Sequence, residues 1–375
     1  MNVTEARLDR IRGPIQPRNH NARTIAALSS NPGCARRAVM DAAGVDKQQV
    51  AAHAGFPAPF GQSRFALSRG NAFEAQVKAD GCAELLRLLR EHLDLPIPEA
   101  SYADLEEAGG NTSREARYAR TRALLARAAA SGDDAGTMFD HPLLRLGVGG
   151  RPVYLEPDLL AFKLGHQFHV VEIKSFAVID GQADGDKVAA AVIQSAVYVL
   201  ALRQVLGELG CGPDLVADEV LLVCPENFAS RPAGAALDVR RQLTVLRRQL
   251  TRLERIDSLL EALPPGLTFD LARGPDGAVQ RPRAELADAL AVVPARYTPD
   301  CLASCEMCFF CRQEAAGTTA ALGVTALEDL GGVEHIATAL HLARGSADAP
   351  GVQAEAAVLL RAAARLRQEC LGEAV

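Results

Sequence analysis

No apolar run in these 375 residues approaches the ~18 that a membrane-spanning helix needs. The first twenty residues, MNVTEARLDRIRGPIQPRNH, are charged and hold no apolar stretch of the signal-peptide kind. A cytoplasmic protein is the expectation. No G-x-x-x-x-G-K-[S/T] loop occurs, so the chain carries no ATP motor of that type. Any helicase that works with it is expected on another polypeptide. Positive charge is not in excess either: 40 Lys and Arg stand against 46 Asp and Glu, a net −6. Gross electrostatics therefore do not point to nucleic acid. Lysine is scarce. Thirty-five of the basic residues are Arg and only five are Lys, at 47, 78, 163, 174 and 187. Because the sequence uses Arg where either cation would serve, a Lys inside an apolar strand invites a chemical explanation. There is no internal repeat and no low-complexity tract beyond Ala-rich helices.

Hydrophobic residues make up 49% of the chain and charged residues 23%, enough for a sizeable core. The length fits one large domain with additions, or two domains. Local charge is more informative than the total. Residues 1–40 hold seven Arg (7, 10, 12, 18, 23, 36, 37) against Glu5 and Asp9, and VRRQLTVLRRQLTRLER (239–255) is a second basic stretch. Such patches contact phosphate or form solvated helix faces. The pattern predicts two short helices over 21–43 broken at NPG (31–33), a helix over about 70–93, a connection over 94–113 and a helix over 114–130. SGDDAGTMFDHP reads as a loop. A hairpin over 152–176 has KLGHQ as its turn. A strong helix spans 186–208, a buried strand 218–225, a long Arg-studded helix 236–263, and several small helices 318–372.

The hairpin segment YLEPDLLAFKLGHQFHVVEIKSF (154–176) places Asp158, Glu172 and Lys174 among apolar residues. Side chains alternate faces along a strand, so Glu172 and Lys174 point the same way while Val171 and Ile173 point the other. Pro157 removes a ladder donor and suits an edge or irregularity. The short connection brings Asp158 near Glu172. Two convergent carboxylates form an oxygen-donor site for Mg²⁺ or Mn²⁺. Such a metal polarises a phosphoryl oxygen and acidifies a bound water. Lys174 would orient or deprotonate that water, or neutralise charge on the phosphate. The bland alternative is a cross-strand salt bridge at a solvated sheet edge.

Pro157-Asp158 followed by Glu172-Ile173-Lys174 resembles the PD-(D/E)XK nuclease superfamily, and more narrowly its RecB-like branch, which includes the CRISPR-associated adaptation nucleases. That branch carries a helix before the hairpin with Gly, three residues and a metal ligand. GNAFE (Gly70 to Glu74) matches it, with Glu74 where the branch commonly has His. After the hairpin the branch has Q-x-x-x-Y, here QSAVY, with Gln194 and Tyr198 one helical turn apart. The resemblance implies that Glu74, Asp158 and Glu172 bind metal and that Lys174 assists the water. It further implies that Gln194 contacts the lysine or substrate, and that Tyr198 supports DNA binding or the site wall.

CLASCEMCFFC places Cys301, Cys305, Cys308 and Cys311 within eleven residues. Tightly spaced thiols in a chain expected to be cytosolic signal a metal, with iron–sulfur and zinc as the two candidates. Packing this tight looks more like iron–sulfur ligation. Iron–sulfur members of the resembled branch take one Cys before the core and three after it around a [4Fe–4S] cluster. That implies Cys34 with Cys305, Cys308 and Cys311, or Cys301 in place of Cys34. The remaining cysteines, 82, 211, 224 and 370, read as ordinary thiols.

The expected fold is α/β: a restriction-endonuclease-like core with a mixed central sheet flanked by helices, plus helical additions and a cysteine-ligated metal cluster. The expected segments are an N-terminal arm with Cys34 (1–66), a nuclease core (67–235), a helical extension (236–300), the cysteine segment (301–317) and a small helical region (318–375). Within the last, LGVTALEDLGGVEHI (322–336) reads as two short helices around a Gly-containing turn. The expected activity is Mg²⁺- or Mn²⁺-dependent hydrolysis of DNA, as single strands or duplex ends, in repair, recombination or phage defence. A helicase or another repair or defence protein is a candidate partner. The alternatives are a catalytically inactive nucleic-acid-binding or scaffold protein on the same fold, and a zinc-ribbon protein whose hairpin carboxylates are structural.

Overall fold

The structure, a computed structural model, describes the chain apart from residues 1–2, 32, 59–63, 94–99, 107–109, 111–112, 131–135, 150, 165–166, 228–230, 255, 350, 352 and 373–375. The chain opens with helices α1 (Val3–Arg12), α2 (Ala22–Ser30), α3 (Ala35–Ala43), α4 (Lys47–His53), α5 (Arg64–Val77) and α6 (Ala79–Leu93). Strand β1 (Ala100–Asp104) and helix α7 (Arg114–Ala130) lead to β2 (Gly136–Asp140), β3 (Leu144–Val148), β4 (Arg151–Leu155), β5 (Leu159–Leu164) and β6 (Gln167–Ile173). Helix α8 (Gly185–Gly207), β7 (Glu219–Pro225), β8 (Pro232–Asp238), α9 (Arg240–Glu254), α10 (Ile256–Glu261) and α11 (Arg283–Ala291) follow. The chain ends with α12 (Cys301–Ser304), α13 (Cys308–Glu314), α14 (Val324–Asp329), α15 (Ile336–Arg344) and α16 (Gln353–Leu371).

These elements form two compact units. One comprises Arg18–Ser29 and Gly61–Ser258; the other comprises Met1–Pro17, Ser30–Phe60 and Leu259–Val375.

The first unit holds a six-stranded mixed sheet in the order β1-β2-β5-β6-β7-β8. Neighbours β1–β2 and β6–β7 run parallel, and the other pairs antiparallel. Strand β6 is central, and after Gln167 every residue in it is buried, as expected for a strand covered on both faces. One face packs Leu159, Val171, Ile173, Leu221 and Val223 against Phe73 and Val77 of α5 and Leu85, Leu88 and Leu89 of α6. The other packs Leu222 and Cys224 against Ala191 of α8. Helix α8 is long and apolar enough to cross a membrane by length and composition, although no uninterrupted apolar run marks it. More than half of that window is buried in the fold, as in a core helix.

Several elements depart from the sequence reading. The connection at 94–113 contains β1, the stretch read as loop at 131–142 contains β2, and the start of the long basic helix is β8. The hairpin proper is β5–β6. Residues 151–155 instead pair with β3 in a separate two-stranded ribbon, because Pro157 cannot donate and the strand breaks there. The expected helix at 70–93 begins earlier and is interrupted at Asp80, Gly81 and Cys82, all in left-handed conformation. Part of the KLGHQ turn and the Pro of NPG lie outside the described residues.

The second unit is helical. Phe269 N–H donates to the Ile11 carbonyl at 2.7 Å, and Arg36 N–H to the Pro294 carbonyl at 3.0 Å. Asp46 caps α4 through the Gln49 N–H at 3.1 Å, the usual role of Asp at that position. Val333, Ala339, Leu342 and Ala357 form the core of its C-terminal part. Where only small helices were expected, α16 runs 19 residues.

Candidate functional site

Glu172 lies one residue from the end of β6 and pairs in register with Leu222. It therefore points to the α8 face of the sheet. Its side chain is 0% exposed and meets the Lys174 ammonium. Its Oε2 has no hydrogen-bond partner among the described residues. Asp158, just before β5, accepts from the Ile173 N–H at 2.7 Å through Oδ2. Burial pushes Glu172 up to about 8, and the Asp158 charge adds to the rise while Lys174 opposes it. Burial likewise raises Asp158, against Lys174 and the Ile173 N–H. Burial pulls Lys174 down, but the charges of Glu172 and Asp158 prevail and hold it above its ordinary value.

Tyr198, on α8, is raised well above the usual phenol range by burial and then by the Glu172 and Asp158 charges. Gln194 Nε2 donates to its hydroxyl at 3.1 Å. This hydrogen bond steadies Tyr198 and ties Gln194, expected at the lysine or substrate, to the same group. Four expected residues thus gather: Asp158, Glu172, Lys174 and Tyr198.

Glu74 does not join them as a third ligand. It sits on α5, which packs on the reverse face of the sheet through Phe73 and Val77. Its Oε1 lies 2.5 Å from Lys78 Nζ, one turn on, and 3.4 Å from His141 Nε2. Lys78 also lies 2.5 Å from Asp140 Oδ1, and His141 Nδ1 lies 3.2 Å from the same oxygen. The Tyr102 hydroxyl donates to Asp140 Oδ2. The bond to His141 holds Glu74 below its usual range, against burial and with help from Lys78. Burial raises Asp140, but His141, Lys78 and Tyr102 together hold it low. The Asp140 and Glu74 carboxylates hold His141 up to about 10.

The two groups adjoin. His141 N–H reaches the Asp158 carbonyl at 3.5 Å, and the Glu74 charge raises both Asp158 and Glu172. Yet among the described residues the set of three ligand atoms within 4.8 Å of one another is Asp104, Asp140 and His141. Asp140 and His141 were missed because FDH (139–141) was read as loop. The one available signal was Lys78, a rare lysine one turn after Glu74.

Asp158 and Glu172 suit a hard cation, since they are oxygen donors and one buried carboxylate oxygen lacks a partner. The four clustered cysteines are buried, and Cys34 is half-buried at the start of α3. Arg36 Nη1 donates to Cys311 Sγ at 3.3 Å and Asn31 Nδ2 to Cys301 Sγ at 3.1 Å. Arg37, Lys47 and Asp41 pack beside Cys305, and Lys47 lies 3.5 Å from Glu306. Burial pushes Cys305 up to about 11 against Arg37 and Lys47, and Cys311 up to about 12 against Arg36. Thiols held that high stay protonated near neutrality unless a metal displaces the protons. The donor set fits a thiophilic metal centre.

No family model matches this chain, and no curated protein matches it. One solved structure, titled "Crystal structure of SSO0001", is 11% identical over 67% of this chain and 87% of its own, with a TM-score of 0.25. So slight a likeness says nothing about fold or activity.

Proposed function

We propose that the chain is a divalent-metal-dependent DNA nuclease of the RecB-like PD-(D/E)XK type, with its sheet unit as a restriction-endonuclease-like core. The observation that carries this reading is Glu172. A fully buried carboxylate at the end of a central strand has an oxygen without a partner, with Asp158, Lys174 and Tyr198 converging on it. Burying such a group is costly unless a cation or proton meets it. Asp158 and Glu172 would hold the metal. When bound, it supplies Lewis acidity to a phosphoryl oxygen and a more acidic water. Lys174, kept charged by the two carboxylates, offers N–H donors to a phosphate oxygen or water. Glu74 adjoins the pair, with its Oε1 held by Lys78 and His141. Tyr198, fixed by Gln194, walls the site.

The proposed partners are DNA ends or single strands and a helicase or repair or defence protein in trans. The cysteine centre is read as iron–sulfur in preference to zinc. Four thiols within eleven residues, with Cys34 half-buried at the start of α3, are spaced more like iron–sulfur ligands than like paired zinc knuckles.

Lys174→Ala is expected to lower cleavage of end-labelled DNA with Mg²⁺ or Mn²⁺ by about 10²–10⁴-fold, with folding and metal-cluster content kept. Undiminished cleavage would remove the assignment. A second reading, a DNA-binding scaffold without catalysis, is favoured by the ion pairs that occupy Glu74. Full DNA binding by the wild type with no cleavage under either cation would select it.

A further inference from the structure

We infer that Arg36, Arg37 and Lys47 form a buried cationic seat for the metal centre, and that Arg36 sets the centre's reduction potential through its bond to Cys311. This rests on the iron–sulfur reading above. The three cations are 3%, 5% and 6% exposed. Among the described residues Asp41 is their one acidic partner equally buried, as Glu306 and Glu314 keep a quarter to a third of their side chains in solvent. Arg37 Nη1 has no hydrogen-bond partner among the described residues. Burying cations in apolar surroundings is unfavourable without full compensation. Thiolates wrapped around a metal cluster supply the missing negative charge at that place.

Arg36 is held more firmly than charge balance requires. Its Nε donates to the Val293 carbonyl at 3.2 Å, its Nη2 to Glu314 Oε1 at 3.1 Å, and its Nη1 to both Glu314 and Cys311. The guanidinium lies 5.3 Å from the Phe310 ring centre, and Phe56 packs edge-on against that ring. Lys could not reproduce this planar fork. A hydrogen bond to a ligand sulfur favours the more negative, reduced state of a cluster and so raises its potential. Arg36 is therefore a positioning residue for the centre.

The test uses the full chain purified anaerobically, with iron and acid-labile sulfide assayed and the midpoint potential titrated by visible absorption and electron paramagnetic resonance. Arg36→Met is expected to move the midpoint to more negative potential and shorten the survival of the centre in air, with Arg36→Lys intermediate. Circular dichroism reports whether each variant folds. If Arg36→Met does not fold, the Arg36→Lys midpoint decides. A wild type rich in iron and sulfide whose folded variants keep its potential and air survival would overturn the role of Arg36 and leave the cluster standing. A wild type holding zinc or no iron would overturn both.

Discussion

A carboxylate that keeps its proton until about pH 8 ties stability to pH in a way that can be measured. Unfolded, Glu172 ionises near its ordinary 4.5. Between these values the folded chain binds the extra proton. The stability contributed by this group is complete below the lower value and declines as pH rises towards the upper. Thermal melting from pH 5 to 8 without divalent metal should show the wild type losing melting temperature with pH, and Glu172→Gln losing less. Parallel slopes would contradict the burial argument. Mg²⁺ should raise the wild-type melting temperature most at the alkaline end, since it needs the ionised form. Asp158, Glu172 and Lys174 were legible in the sequence because strand alternation and a short connection are local. Asp140 and His141 were not, because their meeting with Glu74 and Lys78 depends on how β2 is placed beside β5.

Among the elements, α9 shows how one helix serves two media. Leu243, Leu246, Leu250 and Leu253 are buried along one stripe, the period expected of an amphipathic helix. Arg241, Arg247, Arg248 and Arg252 are exposed on the rest of its surface. Arg240 is tied to Asp238. Replacing Arg241 and Arg248 together by Ala should weaken DNA binding. It should also reduce the slope of log K against log salt by about 1.4–1.8, at 0.7–0.9 per phosphate contact. An unchanged slope would make these arginines a solvated face only. The long helices could be read from their period. Strands β1, β2 and β8 could not. PAGAALD, the sequence of β8, has no β-branched residue, and only its pairing with β7 makes it a strand.

At the scale of the molecule, a helical unit is assembled from three separate stretches of chain, and the sheet unit is complete by Ser258. The cysteine motifs implied that the arm carrying Cys34 meets the segment after the core, and these fall in one unit; composition gave no sign of it, because segments distant in sequence find each other only through packing. The partners of Arg36 and Lys47 include Glu314 and Glu306. A chain ended at residue 300 should therefore expose the arm at 30–53 to trypsin, at Arg36, Arg37 and Lys47, while the sheet survives. Equal resistance of the arm in both chains would show that it is ordered without the cysteine segment.

The discontinuity of the helical unit also bears on biosynthesis. Cys34 leaves the ribosome before the stretch Gly61–Ser258 of the sheet unit, and Cys301–Ser304 only after it. The arm at 30–53 thus meets these neighbours only after the sheet unit has been made. A metal taken up by these cysteines would be enclosed only once both stretches have been made.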